Sequence, residues 1–349
     1  MRGGRGPMKK SPVEHNASFT SRGAEWLRNL IPGRGGEKRT VAGLSGRRWV
    51  DYAFVAAFFL LLMLAASMSD VFFTQRNISN LLRQIVTNGL ISLGMLVVIL
   101  TGGIDLSVGP VVAFAAIVVS GMVERQGLPL PVAILIALGV GASAGLFNGF
   151  MIARFKLQPF IVTLATLGAI RGLVYVYSET PITPQDPAFR TIFGTAIVGP
   201  FTLSVLIMLV AFMIFQFFLN RTTAGRGIVA IGGNEEAVRL AGINVGGHII
   251  LAYVISGLCA ALAGVLLASR LGIAQPSVGA GFELDAIAAC VIGGAILGGG
   301  GGTVLGTFGG VVTLGLIDNL LNLFNVQSYY QQIFKGLIIL VAVLIRRKE

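Results

Sequence analysis

Long apolar runs, several of them about 18 residues or longer, recur along this chain from residue 52 to residue 345. Hydrophobic residues make up 54% of the sequence and charged residues only 12%, whereas a soluble domain carries about 25% charge. An apolar run of this length with few charges is typical of a helix that crosses a membrane. The chain is therefore predicted to be an all-α polytopic membrane protein.

The apolar runs divide into about ten predicted membrane-spanning helices. A count of eight or nine also stays open, because the glycine-rich segment 293–302 could be re-entrant. The ten predicted spans cover residues 52–69, 85–102, 107–122, 129–152, 158–177, 199–219, 248–269, 285–300, 302–324 and 331–345. An even number of spans places both termini on the same side of the membrane.

Lysine and arginine residues concentrate on one predicted side. Eleven of the 26 lie in residues 1–48, and positive residues mark the cytoplasmic side of a membrane protein. We expect residues 1–50 to form a basic, mostly disordered cytoplasmic tail and residues 51–349 to form a transmembrane domain. Arg76 and Arg83 fall on the other side and oppose this orientation. Most of the other positive residues flank apolar runs and do not form one basic face. The net charge of +11 therefore does not indicate a nucleic-acid partner.

The sequence lacks the motifs of several common functional sites. The sequence has no GxxxxGK[ST] motif, so it is not expected to bind ATP through a P-loop. Both cysteines lie inside apolar runs, which favours small buried hydrophobic residues over a disulfide or a metal site. The two histidines form no cluster with acids or serines, which disfavours a membrane-embedded enzyme.

The stretch "ILTGGIDLSVGP" separates the second and third predicted spans. Ser107 is placed to be the N-cap of the next helix, with Pro110 at its third position, where the missing N–H is harmless. Asp105 is then either an acid that stabilises the turn before a helix N-terminus or a carboxylate that lines a cavity at a broken helix. A similar interruption, "VIGGAILGGGGGTVLG", lies in the second half of the chain. The pair predicts glycine-interrupted helices in two pseudo-repeated halves.

Two sets of glycines are spaced by four residues, which places each set on one face of a helix. Small residues let membrane helices approach closely. These positions therefore predict two helix-packing faces. They are Gly141, Gly145 and Gly149 in the first set, and Gly302, Gly306 and Gly310 in the second.

The segment 221–249, "RTTAGRGIVAIGGNEEAVRLAGINVGGHI", is assigned to the cytoplasm by its charge. Its pattern predicts a short helix over residues 234–241, carried by an N-cap, two first-turn acids, a last-turn base and a terminating glycine. These residues are Asn234, Glu235, Glu236, Arg239 and Gly242. Val238, Leu240 and Ile243 would be unusual on a helix that faces only water. The helix is either a linker packed on the membrane domain or a docking helix for a cytosolic partner.

Five stretches resemble the membrane-spanning permease subunit of ribose-type sugar ABC importers, in the branched-chain amino acid/ribose permease superfamily. They are "GGIDLSVG" (102–109), "GLFNGFMIARFKLQPFIVTLATL" (145–167), "AIGGNEEAVRLAGINV" (230–245), "FELDAIAACVIGGAILGGGG" (282–301) and the run 319–337. Their number and order identify the chain as a member of this family. Pro110 departs from the serine expected at that position, and residues 1–50 have no counterpart in the pattern.

The resemblance implies a division of labour in a bacterial inner membrane. Two permease chains, identical or different, would form the pathway in the lipid bilayer, and an extracytoplasmic binding protein would deliver the sugar. ATP and Mg²⁺ would bind to separate cytosolic ATPase subunits, with no cofactor on this chain. By analogy the loop 221–247 carries the coupling helix, so that Glu235, Glu236 and Arg239 would contact the ATPase. The cargo stays open among pentoses, hexoses and other polar solutes such as a nucleoside or a signal molecule.

Polar side chains in the apolar runs are the candidates for the translocation path, because a sugar needs hydrogen-bonding partners. The same residue types also join membrane helices to one another. The candidates are Asp105, Asn148, Thr163, Thr166 and Asn319, with Tyr175 near them in the sequence pattern. A rival hypothesis is an ion-coupled secondary transporter in which Asp105 is the coupling carboxylate. That hypothesis gives no reason for the segment 221–249.

Overall fold

A computed structural model of the chain describes residues 69–346, together with residues 59, 60, 62, 63 and 67. The predicted tail and most of the first predicted span lie outside the described residues. The described part is helical apart from turns, short loops and one two-stranded antiparallel hairpin. The all-α prediction is confirmed.

The described helices and strands follow one another in this order: α1 (Gln75–Leu100), α2 (Val108–Glu124), α3 (Leu130–Phe155), α4 (Pro159–Tyr177), α5 (Pro187–Thr191), β1 (Ala196–Val198), β2 (Phe201–Thr202), α6 (Leu203–Arg221), α7 (Thr223–Gly233), α8 (Glu235–Leu240), α9 (Val245–Leu271), α10 (Phe282–Ile292), α11 (Val304–Leu323) and α12 (Ser328–Arg346).

Local signals explain where several helices begin and end. The Thr74 side chain accepts a hydrogen bond from the Asn77 amide at 3.3 Å, so α1 starts at Gln75, well before the predicted residue 85. Its first turns are polar, and hydropathy alone does not detect them. α2 begins after Ser107 with Pro110 at its third position, as predicted. The predicted span 285–300 is too long, because α10 ends at Ile292 and a glycine-rich turn follows.

Six of the described helices are long and apolar enough to cross a membrane: α1, α3, α4, α6, α9 and α11. The apolar α2 has 17 residues and α10 has 11, so each is shorter than a usual span. A polytopic membrane protein is therefore confirmed. The exact number of about ten spans stays a prediction.

Helix α9 joins two groups of helices. On one side it packs against α2 and α3, and α4 packs on these. On the other side it packs against α1, which in turn contacts α6, α10 and α11. The apolar parts of α1 and α9 are mostly buried, whereas α3, α4 and α6 leave most of their apolar residues on the outside of the chain. Such outer faces suit lipid or a second membrane chain.

The first predicted glycine face lies in the contact between α3 and α9. A Cβ on Gly141 would collide with the carbonyl oxygen of Gly257, and one on Gly145 with that of Tyr253. The backbones of α3 and α9 therefore touch without intervening side chains, as small residues allow. This predicted packing face is confirmed.

The second predicted face is confirmed in part. Gly306 and Gly310 bring α11 against α10, at the carbonyl oxygens of Gly293 and Ala289. Gly302 lies instead in the turn before α11. The helical spacing therefore holds for two of the three glycines.

Candidate coupling helix and buried polar cluster

The two glycine-rich interruptions meet in space. Gly102 ends α1 with a positive φ of 85°, a backbone conformation that favours glycine. The Gly300 amide donates a 3.0 Å hydrogen bond to the carbonyl of Leu100, the last residue of α1. The turn after α1 and the turn after α10 are thus joined directly by backbone. Whether the two halves are a duplication stays a prediction.

Helix α7 rests on this junction. A Cβ on Gly232 would collide with the Leu100 carbonyl oxygen and the Gly300 amide nitrogen, and one on Gly299 would lie 2.7 Å from the Gly232 Cα. Thr222 caps α7 by accepting a 3.0 Å hydrogen bond from the Gly225 amide. The sequence reasoning did not find α7 as a helix, because its four glycines are typical of a loop.

Helix α8 follows α7 directly and matches the predicted short helix. The Asn234 side chain accepts a 2.9 Å hydrogen bond from the Ala237 amide, which confirms it as the N-cap. Arg239 pairs with Glu235 at 2.7 Å and with Glu236 at 3.4 Å. Gly242 has a φ of 79° and follows the end of the helix, as predicted. All three charged side chains are at least half exposed.

One side of α8 is anchored and the other is free. Val238 is buried against Ile231 and Val245, which fixes the helix to its own chain. Leu240 is 81% exposed and Ile243 is 39% exposed. The helix is therefore packed on its own chain, as one of the two interpretations predicted, and it presents a leucine and an ion-paired charge cluster outwards. Docking to a cytosolic partner stays a prediction.

Asp105 is buried before the N-terminus of α2. Its Oδ1 accepts hydrogen bonds from the Ser107 amide at 3.0 Å and the Ser107 hydroxyl at 2.6 Å. Its Oδ2 accepts one from the Ser256 hydroxyl of α9 at 2.8 Å. Among the described residues it has no positively charged partner. Three hydrogen bonds compensate for the burial of this carboxylate.

Two further candidates join Asp105. The Asn148 amide of α3 donates to the Ser107 hydroxyl at 2.9 Å, and its Oδ1 is buried without a partner. The Thr163 hydroxyl of α4 lies 3.1 Å from the carbonyl oxygen of Ile104. We call Asp105, Ser107, Asn148, Thr163 and Ser256 the Asp105 cluster. It links the turn before α2 to α3, α4 and α9.

The remaining candidates lie apart from this cluster. Thr166 donates within its own helix, to the carbonyl oxygens of Val162 and Thr163 at 3.1 Å. Asn319 and Asn77 exchange two amide hydrogen bonds, at 2.9 and 3.0 Å, and so join α11 to the first turn of α1. Tyr175 is 43% exposed on α4.

Sequence reasoning missed an ionic cluster of α10, α11 and α12. The Lys335 ammonium lies 3.0 Å from an Asp285 carboxylate oxygen and 3.1 Å from one of Asp318. All three side chains are mostly buried. Each is a charged residue inside a predicted apolar run, and such residues usually pair with one another, so the sequence did contain a signal for this cluster. In the described part of the chain, no group of His, Cys, Asp or Glu residues forms a metal site.

A model of the family described as branched-chain amino acid transport system / permease component matches residues 77–343. The match covers most of the chain, including every site described above. The chain belongs to this family. As a permease component, it is a transporter subunit and not an enzyme.

Three curated proteins are similar along nearly their whole length. The ribose import permease protein RbsC of Bacillus subtilis is 44% identical over 83% of this chain and 91% of its own. The L-arabinose transport system permease protein AraH of Escherichia coli is 39% identical over 86% and 92%, respectively. The galactose/methyl galactoside import permease protein MglC of E. coli is 37% identical over 81% and 90%. No solved structure matches the chain.

Proposed function

We propose that this permease moves a monosaccharide through a bacterial inner membrane as the membrane-spanning subunit of an ABC importer. Three similar proteins are named for ribose, arabinose and galactose, which supports a pentose or hexose as cargo. A binding protein outside the membrane delivers the sugar, and a second permease chain, identical or different, completes the pathway. Both termini lie in the cytoplasm, as the charge distribution favours.

The observation that carries the proposal is the position of α8. The helix has six residues and would not be stable alone. The buried Val238 fixes it, and it stands beside the junction of both glycine turns. Its exposed Leu240 and ion-paired charges suit a groove on a cytosolic ATPase subunit, which holds ATP and Mg²⁺. Asn234 and Gly242 set the two ends of this contact.

The Asp105 cluster has a supporting part in this proposal. Asp105, Asn148 and Thr163 are fully or almost fully buried and bond to neighbouring helices. We assign them to holding together the helices that bound the path. Thr166 and Asn319 hold helices in the same way at other places.

Reversing the charges of α8 tests the coupling contact. The triple variant Glu235→Lys, Glu236→Lys, Arg239→Glu keeps ion pairs within the helix but inverts the charges offered to a partner. We expect normal membrane insertion, strong loss of co-purified ATPase subunit and loss of sugar uptake. Arg154→Glu, at an exposed arginine in the last turn of α3, is the matched control and should leave all three unchanged.

Recovery of the ATPase subunit at the normal level with the triple variant would contradict the contact. The energy source provides a second test. Uptake of labelled ribose, arabinose or galactose should stop on ATP depletion and persist when an uncoupler removes the proton gradient. The opposite pattern would support the ion-coupled transporter instead.

A further inference from the structure

Three arginines surround one cavity at the end of the domain opposite α8. The cavity has a volume of about 300 Å³ and is lined by Arg83 of α1, Arg190 of α5 and Arg270 of α9. Thr191, Thr195 and Ser204 add hydroxyl groups to its wall. We call this the arginine pocket. Arg83 precedes Leu100 by about five helical turns, roughly 25 Å along α1, and Leu100 touches the base of α7.

The arginine pocket has no negative side chain in its lining. The hydrogen bonds of its guanidinium groups go to backbone carbonyl oxygens: Arg83 to Gly194 at 3.5 Å, Arg190 to Pro184 at 3.1 Å and Arg270 to Arg83 at 3.0 Å. The Nε of Arg83 is buried without a hydrogen-bond partner. Three like charges that share a cavity without a counter-ion repel one another, so an anion that enters the cavity would be held strongly.

Apolar side chains stand next to this positive charge. The hairpin of β1 and β2 starts just after Thr195, and it exposes Ile197, Val198 and Phe201. Leu271, next to Arg270, is 49% exposed. Apolar residues beside arginines at the end of membrane helices suit the boundary between headgroups and acyl chains.

We propose that the arginine pocket binds the phosphate group of an anionic phospholipid, with its acyl chains along the exposed hairpin and the adjoining helices. The guanidinium geometry matches phosphate oxygens, and exposed apolar residues beside a positive pocket suit the acyl chains of the same molecule. The apolar rim distinguishes a lipid from a free phosphate ion, which would gain nothing from it. Acidic side chains of the sugar-binding protein are the competing occupant of the arginine pocket, and capture of that protein is measured as a separate outcome of the test.

The test uses the full-length permease in nanodiscs of phosphatidylcholine, with and without phosphatidylglycerol. Native mass spectrometry counts the phosphatidylglycerol molecules retained after mild delipidation. We expect selective retention by the wild type. The Arg190→Gln, Arg270→Gln variant should lower the affinity about tenfold or more, because it removes two charge-assisted contacts. Arg76→Gln removes an exposed arginine on the same end of α1 and should retain the lipid like the wild type.

The single variant Arg190→Gln controls for misfolding of the double variant, because Arg190 is exposed and lies in the short helix α5. It should weaken retention by itself, and Arg190→Lys should weaken it less, since lysine keeps the charge but not the bidentate geometry. Failure of inorganic phosphate to compete would support the lipid.

Four results would overturn the proposal. They are no preference for phosphatidylglycerol, equal loss with Arg76→Gln, full competition by inorganic phosphate, and arginine variants that change only the capture of the sugar-binding protein.

Discussion

Asp105 can be replaced in two ways that separate its structural role from a role in transport. In Asp105→Asn, Oδ1 keeps both hydrogen bonds from Ser107, and the new amide can donate to Ser256 once that hydroxyl turns. A hydrogen bond to a charged group contributes about 1.5–3 kcal/mol and a neutral one about 0.5–1.5. Loss of the charge weakens three bonds, but it also removes an unpaired carboxylate from a buried position. We expect a net loss of about 1 kcal/mol or less.

Asp105→Ala removes both carboxylate oxygens and with them all three hydrogen bonds. The buried Ser107 amide cannot turn to another partner, and a buried unpaired group costs about 1–3 kcal/mol. The hydroxyl groups of Ser107 and Ser256 also lose their acceptor, and the shorter side chain leaves a small cavity. We therefore expect the free energy of unfolding to fall by about 3–5 kcal/mol.

Thermal unfolding in detergent and sugar uptake in membranes measure the two roles. The asparagine variant should unfold close to the wild type and transport, whereas the alanine variant should unfold at a clearly lower temperature. Equal destabilisation by both variants would refute the hydrogen-bond reasoning. A stable asparagine variant that inserts normally but does not transport would place the carboxylate in the transport step itself.

Three further predictions follow from the helix contacts, each checked by thermal unfolding of the purified chain. Lys335→Met leaves Asp285 and Asp318 buried without their cation and should cost about 3–5 kcal/mol, and no loss would show that the cluster is solvated. Gly145→Ala forces α3 away from the Tyr253 carbonyl and should lower the free energy of unfolding by about 1–3 kcal/mol. Gly139→Ala is the control, because a Cβ there meets no atom and should not destabilise the chain. Equal effects of the two substitutions would disprove the close contact. In a double-mutant cycle, Asn77→Leu and Asn319→Leu should show a favourable coupling of about 0.5–1.5 kcal/mol, and purely additive losses would contradict their pairing.

Sequence patterns predicted the helices whose ends are marked by proline, an N-cap residue or glycine. Pro129 and Pro159 mark the starts of α3 and α4, and the predicted bounds differ there by one residue. The cap and end of α8 followed from Asn234 and Gly242 for the same reason. The helix α7 was missed because its glycines serve close tertiary contacts, which helix propensity does not describe. A Cβ would collide with α6 at Gly225, with His248 at Gly227 and with the two turns at Gly232.

The candidate site was predictable residue by residue but not as an arrangement. Asp105, Asn148 and Thr163 were each identified as polar residues in apolar surroundings. Of the two serines that bond to Asp105, Ser107 was predicted only as an N-cap and Ser256 was not identified. Serines are common in membrane helices, so they carry little signal. Asn319 was grouped with the others but pairs with Asn77, which is 242 positions away in the chain. A single sequence gives no information on such distant partners.

The junction of Gly102, Gly232 and Gly299 has a mechanical consequence. Most contacts between protein segments pass through side chains, which can rotate and absorb a small displacement. Here peptide backbone bears directly on peptide backbone, with no side chain between the three segments. The joint is therefore stiff, and a displacement of the C-terminal end of α7 would reach the α1–α2 turn and the α10–α11 turn together, because no side chain lies between them.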